Sequence, residues 1–143
     1  MREPAATLLL VDDNRGFRDV FVAVLEDSDP AFRVHTVETA TQAVAFLARR
    51  PPYAAAPHPH FVVLDFHLPD FNAPRLLRTL ASRAALHGVP VLVLSQADWP
   101  EDHAAVLRAG AAAFAVKPSH VDALHRVVAS FWQIHVAARR ARA

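Results

Sequence analysis

Cysteine is absent from the 143 residues, which excludes disulfide frameworks, thiolate metal sites and cysteine nucleophiles, and says nothing further about compartment. Long hydrophobic runs are absent too. Although 53% of the residues are hydrophobic, no stretch approaches the roughly 18 apolar residues needed to cross a bilayer, and the N-terminus lacks a charged-then-apolar signal pattern. A soluble, cytoplasmic protein with no membrane partner is expected. Charge of neither sign dominates: 15 Lys and Arg stand against 14 Asp and Glu, a formal net charge of +1. The basic residues are spread along the chain, apart from a small terminal cluster at Arg139, Arg140 and Arg142 that reads as a solvated, frayed end. That balance leaves no electrostatic footprint for nucleic acid. The length suits one well-buried core and is short for two ordinary domains, so a separate output domain is not expected.

Four short apolar runs, residues 8–11, 61–64, 89–94 and 112–116, read as near-continuous hydrophobic strands buried on both faces of a parallel sheet. A fifth run, residues 32–37, alternates apolar with polar side chains and suits a half-exposed strand at a sheet edge. Helical spacing lies between the runs. Asn14 can cap a helix carrying Phe17, Val20, Phe21, Val24 and Leu25. The next carries Ala40, Val44 and Leu47, and the third Leu76, Leu77, Leu80 and Ala84. Pro100 suits the first turn of a fourth helix that Gly110 can stop. Ser119 to Asp122 has the spacing of a capping box opening a last helix. In that helix Leu124, Val128, Phe131 and His135 can face the sheet, while Val127, Trp132 and Val136 lie off the stripe and form a candidate contact face, with Trp132 equally suited to packing within the chain. The proline- and alanine-rich residues 50–60 form a loop. Its His58 and His60 flank Pro59 and read as scattered histidines in preference to a metal site.

Five alternations of strand and helix imply an α/β fold: a doubly wound, five-stranded parallel sheet with right-handed crossovers, order 2-1-3-4-5. All strands then point one way, so the residues following each strand gather along one edge. The first strand runs into Asp12 and Asp13, the third into Asp65, the fourth into Ser95 and the fifth into Lys117. Open α/β sheets bind ligands outside the carboxyl ends of their strands, which places all five residues around one crevice. At an effective dielectric near 20, two carboxylates about 4 Å apart repel by roughly 4 kcal/mol. A bound cation is therefore expected, or a retained proton on one acid. An all-oxygen site favours Mg²⁺, which keeps several waters and accepts a phosphate oxygen. A carboxylate nucleophile, a metal, the Lys117 ammonium and the Ser95 hydroxyl together suit phosphoryl transfer.

Four pieces, residues 10–14 (Leu-Val-Asp-Asp-Asn), 64–69 (Leu-Asp-Phe-His-Leu-Pro), 93–95 (Val-Leu-Ser) and 110–118 (Gly-Ala-Ala-Ala-Phe-Ala-Val-Lys-Pro), occur in the order and spacing of one known family. Over about residues 7–138 the sequence resembles the receiver domain of two-component response regulators, a flavodoxin-like (βα)5 module. The resemblance implies that residues 1–143 are a single receiver domain and that Asp65 is the phosphoacceptor. It implies metal binding by Asp13 and Asp65 directly, by Asp12 directly or through water, and by the backbone carbonyl of His67. Ser95 and Lys117 are implied to bind the phosphoryl oxygens, with Ser95 and Phe114 forming the switch and a cis bond at Lys117–Pro118. A receiver is a phosphoacceptor in a His-Asp phosphorelay, signalling by conformational change or dimerisation. Mg²⁺-dependent self-phosphorylation and autodephosphorylation belong to that role, which is not that of an enzyme on a separate substrate.

Several residues depart from the family's common pattern. Ala73 stands where glycine is frequent, so the turn after Asp65 must avoid positive φ. Ser95 replaces the commoner threonine, and Phe114 replaces tyrosine, leaving ring burial without a phenol hydrogen bond. Gln96 is larger than the residue usual there, and His67 lies beside the acceptor. Both are expected to alter access to the phosphoryl group, so the dephosphorylation rate is expected to change on Gln96→Ala; an unchanged rate would remove Gln96 from that role. A narrower resemblance lies in residues 53–60 and in Ser130-Phe131-Trp132, which look like stand-alone regulators that partner phytochrome-type histidine kinases and often dimerise. A homodimer through helix four, strand five and helix five is the corresponding expectation. Three other readings compete. A degenerate receiver that only binds proteins is opposed by the intact acidic set. An aspartyl phosphatase usually needs a second acid where His67 stands. A flavin module would want glycines and hydroxyls where the first loop has carboxylates.

Overall fold

Strand and helix alternate five times: β1 (Ala6–Val11), α1 (Arg15–Asp27), β2 (Phe32–Val37), α2 (Ala40–Leu47), β3 (Phe61–Asp65), α3 (Ala73–Ala81), β4 (Val91–Ser95), α4 (Pro100–Ala109), β5 (Ala113–Val116) and α5 (Val121–Trp132). This is a computed structural model, and it describes residues 3–83 and 88–138. Ala84 and the arginines at 139, 140 and 142 lie outside the described residues. All strands pair in parallel in the order β2-β1-β3-β4-β5, the expected flavodoxin-like receiver arrangement. No helix among the described residues is long and apolar enough to cross a membrane.

Alternation along the central strands divides the core into two layers. Leu9, Val11, Val62, Leu64, Val91 and Val93 pack against α2, α3 and α4. Leu8, Leu10, Phe61, Val63, Leu92 and Leu94 pack against Phe21 and Leu25 of α1 and Leu124, Val128 and Phe131 of α5. Each such side chain contributes about 1.5–3 kcal/mol by leaving water. A one-residue slip would exchange the two faces, so this double burial fixes the register that sets where each strand ends.

Helix starts are specified locally. Asn14 Oδ1 accepts the Phe17 N–H (2.8 Å) at the head of α1. Thr39 and Gln42 form a reciprocal capping box on α2, and Asn72 caps α3 with Pro74 in its first turn. Gly110 ends α4 with φ 114°, a left-handed conformation that strongly favours glycine. Ala73 opens α3 as a buried helical residue. Among the described residues the only non-glycine with positive φ is Arg49, so the turn after Asp65 avoids that region as expected.

Four expectations are corrected. Strand β5 is not buried on both faces: its residues are half-exposed and Val116 is 40% exposed, because the strand order leaves β5 at the second edge of the sheet. Ser119 does not cap α5. The backbone is still extended at His120 (φ −120°, ψ 139°), so Ser119 stands one residue outside the helix. The end of α5 widens into a π-helical turn, Gln133–Ala137, which shifts the phase of the stripe beyond it and buries Val136 in the core; Trp132, the last residue before that turn, packs edge-on against Phe32 at 5.8 Å. Val136 is thereby withdrawn from the expected contact face, and Trp132 takes the second of its two expected roles, packing within the chain. Finally, the cis bonds among the described residues are Asp29–Pro30 and Pro51–Pro52, so Lys117–Pro118 is trans. With that bond trans, the Lys117 N–H still donates to the Ser95 carbonyl (2.7 Å) and the side chain still reaches the acids. Nothing there opposes the usual trans preference of about 0.5–1 kcal/mol.

Candidate functional site

The carboxyl ends of β1 and β3 bring three acids together. Asp12, Asp13 and Asp65 each offer a carboxylate oxygen, and these oxygens lie within 4.8 Å of one another. Asp12 is held from several sides. Its N–H continues the sheet by donating to the Val37 carbonyl (3.1 Å), its Oδ1 accepts the Asn14 N–H (2.8 Å), and its carbonyl accepts from Arg18 Nη1 (2.9 Å). Asp65 is the last residue of β3, paired with Leu94 of β4, and its Oδ1 accepts weakly from the His67 N–H (3.4 Å). Asp13 is exposed, so the cluster opens to solvent on its side.

Lys117, just past β5, crosses to this cluster. Its Nζ lies 2.8 Å from Asp12 Oδ2 and 3.5 Å from Asp65 Oδ1, with the Lys117 side chain only 8% exposed. One ammonium thus serves a cluster of three acids and touches two of them. Burial pushes the Asp65 carboxyl above the usual carboxylate range, and the neighbouring charge of Asp12 pushes it further. The Lys117 charge and the His67 N–H pull it only part of the way back. These are oxygen donors around excess negative charge, the chemistry that a hard divalent cation satisfies. The three carboxylates can hold such an ion, and Lys117 supplies a second positive charge beside Asp12 and Asp65.

Ser95 ends β4, is buried, and accepts a long hydrogen bond from the Ala97 N–H (3.5 Å) through Oγ. Its carbonyl takes the Lys117 N–H, which places the two residues side by side at the rim. Gln96 and His67 are exposed on loops at the same rim, and the His67 ring rests edge-on against Phe66 at 4.9 Å. Phe114 on β5 is half-buried and stacks on His103 of α4, with centroids 4.8 Å apart and planes 17° apart. His60 Nδ1 accepts the Thr7 N–H (2.9 Å), a structural bond at the far end of β1.

Two contributors were not legible as site residues. Phe17, expected only as a core position, lies with its ring centroid 4.4 Å from Lys117 Nζ. Asp70 ties the loop after β3 to the start of α2: its carboxylate accepts from the Ala40 N–H (2.9 Å), the Thr41 N–H (2.8 Å) and the Thr41 hydroxyl (2.6 Å). Burial opposes its charged form, but the bonds from Thr41, Ala40 and its own amide outweigh that and hold the carboxyl at about 2, below the ordinary 3.8. A depressed folded-state value stabilises the fold above the unfolded value and loses that effect as pH falls toward 2. Because Asp70 is exposed and solvent screens it, Asp70→Ala is expected to cost roughly 1 kcal/mol at neutral pH. Urea unfolding of both proteins should show that gap closing near pH 2, and a gap independent of pH would contradict the assignment.

The model of the response regulator receiver domain family matches residues 8–129. Response regulator Rre1 of Synechocystis is 32% identical over 128 residues, covering 90% of this chain and 52% of the relative. The chain therefore spans about half the length of that relative. Its structure is similar to that of the phosphorylated cyanobacterial phytochrome response regulator RcpA, with a TM-score of 0.81 and 24% identity over 93% of this chain and 95% of the other. It is also similar to the bacteriophytochrome response regulator RtBRR, with a TM-score of 0.73 and 26% identity over 87% of this chain and 76% of the other. With the family's model covering nearly the whole fold, and with strand order and acidic rim in agreement, the chain belongs to the response regulator receiver domain family of two-component systems.

Proposed function

We propose that this receiver accepts a phosphoryl group on Asp65 from a phosphohistidine of a partner histidine kinase. The observation that carries this reading is the Asp65 carboxylate at the end of β3, in the crevice at the rim, with Lys117 Nζ 3.5 Å away and Asp12 and Asp13 beside it. An Asp65 oxygen attacks phosphorus in line as the P–N bond of the phosphoimidazole breaks, leaving an acyl phosphate and a neutral or protonated histidine on the kinase. Mg²⁺, when held by Asp12, Asp13, Asp65 and the His67 carbonyl, would neutralise charge on the phosphoryl oxygens. Lys117 turns from Asp12 toward the phosphoryl oxygens, and the Ser95 hydroxyl donates to one of them. The acid pair around Asp65 keeps other anions out until a cation offsets them.

Signalling follows from the same rim. A phosphoryl group adds about −1.5 to −2 charges. Ser95 and Lys117 are drawn to it, and Phe114 on the neighbouring strand moves from its stack on His103 into the space Ser95 leaves. In this reading residues 1–143 act as one cytoplasmic receiver domain whose output is the face of α4, β5 and α5, used for homodimerisation. Leu107, Val116 and Ile134 are exposed there, and a groove of about 360 Å³ lies between β5 and α5. Sedimentation of wild type and Ile134→Glu with and without acetyl phosphate tests it: a dimer lost in the variant supports this face, and a dimer untouched by the substitution removes it. The likeness to RtBRR supports a phytochrome-type kinase as partner; phosphotransfer from other kinase classes but not from that class would sink the pairing.

Intact mass after acetyl phosphate and Mg²⁺ tests the central reading. Wild type is expected to gain one phosphoryl group and Asp65→Asn none. An equal gain in both removes Asp65 as acceptor, and a gain in neither supports a module that only binds proteins.

A further inference from the structure

The Lys117 ammonium carries three N–H donors. Asp12 Oδ2 takes one side at 2.8 Å, Asp65 Oδ1 lies on a second at 3.5 Å, and the Phe17 ring covers another, its centroid 4.4 Å from Nζ. Phe17 is well placed to act as a fixed wall. Its N–H is bonded to the Asn14 side chain at the head of α1, so the capping bond that starts the helix also sets the Phe17 backbone. Its ring leans on Phe21, which is fully buried, with centroids 5.9 Å apart.

We propose that Phe17 is the positioning residue for Lys117, holding the ammonium between Asp12 and Asp65 through the negative face of its ring. The inference rests on the reading of Asp65 as phosphoacceptor and Lys117 as its phosphoryl-binding cation. Without the ring, two forces draw the ammonium out of place. The shorter contact to Asp12 competes for it, and water can reach the side that the ring now covers. A π face attracts a cation without donating or accepting in the plane, so it restrains Nζ while leaving it free to swing toward a phosphoryl oxygen on Asp65. A carboxylate in the same place would instead compete with the phosphoryl group for the ammonium. The nearby acids attract the lysine and the ring limits where it sits.

Lys117 is the only lysine in the sequence, so lysine-selective isotope labelling gives a single set of side-chain NMR signals. In wild type the Lys117 Cε protons are expected upfield, shifted by the Phe17 ring current, and Phe17→Leu should return them to the ordinary position. Leucine keeps the apolar packing and removes the π face. The rate of acetyl phosphate-dependent mass gain is expected to fall roughly fivefold to tenfold in Phe17→Leu and to stay near wild type in Phe17→Tyr, which keeps a ring. Lys117 signals without an upfield shift in wild type, or equal rates in the leucine and wild-type proteins, would overturn the proposal, as would equal slowing in Phe17→Leu and Phe17→Tyr. If wild type gains no phosphoryl group but the ring-current shift is present and lost in Phe17→Leu, the failure lies with the phosphoacceptor reading and the contact stands.

Discussion

Lys117→Met is expected to lower the stability of the metal-free protein by about 3 kcal/mol, the usual cost of stripping one partner from a buried ion pair. Asp12 is fully buried and bonds Lys117 at 2.8 Å, and Asp65 lies 3.5 Å from the same nitrogen. Methionine fills much of the same volume, so packing is largely kept and the loss is electrostatic. Two buried carboxylates then repel with no cation between them. Saturating Mg²⁺ should recover a large part of the loss, because an ion bound to the folded state stabilises it and would replace the missing positive charge. Urea unfolding of both proteins, with EDTA and with Mg²⁺, reads both effects. A loss below about 0.5 kcal/mol, or a loss that Mg²⁺ leaves untouched, would contradict the placement of Lys117 and the metal in one crevice.

Asp65→Asn should act in the opposite direction. Burial, followed by the Asp12 charge, raises the Asp65 carboxyl above its ordinary 3.8. A raised folded-state value means that ionisation is harder in the fold than in the unfolded chain. Well below the unfolded value the carboxyl is protonated in both states and carries no ionisation penalty. As pH rises through the unfolded value toward the raised one, wild type loses stability that a neutral amide keeps. The metal-free variant is therefore expected to be more stable at neutral pH by roughly 1 kcal/mol, about 3–5 °C in Tm, with the advantage gone at about pH 3. Mg²⁺ should reverse the order by stabilising wild type more than the variant. Equal Tm values across pH, or equal stabilisation by Mg²⁺, would remove Asp65 from the acidic cluster.

The parts of this site that could be read from the sequence share one cause. In a parallel sheet the end of each buried run is a fixed place, so Asp12, Asp13, Asp65, Ser95 and Lys117 could be assigned to one rim from strand order alone. The ion pair of Lys117 with Asp12, 105 residues apart, follows from that order. The parts that were missed depend on side-chain direction or on a change of helical phase. Asp70 finds its donors 29 and 30 residues earlier, at Thr41 and Ala40, and no local pattern links those positions. The Phe17 ring belongs to the apolar stripe of α1, yet it sits at the end of the helix nearest the acids and turns toward Lys117. Val136 falls outside the expected stripe because a 3.6-residue period does not carry through a segment that makes a π turn, while the contact of Trp132 with Phe32 of β2 depends on tertiary packing that no helical period reveals. The half-exposure of β5 is not evident from its apolar run, because it comes from the strand's place at the sheet edge, where it packs on fewer neighbours.

Site mapping of the acyl phosphate tests the convergence of these residues most directly. Wild type is treated with acetyl phosphate in Mg²⁺ and, in parallel, in EDTA, the acyl phosphate is trapped by borohydride reduction, and the peptides are sequenced by mass spectrometry. The expected result is reduction at Asp65 alone, present with Mg²⁺ and lost with EDTA. Label on another carboxylate, or equal labelling without metal, would contradict a single magnesium-dependent phosphoryl site built from Asp12, Asp13, Asp65 and Lys117.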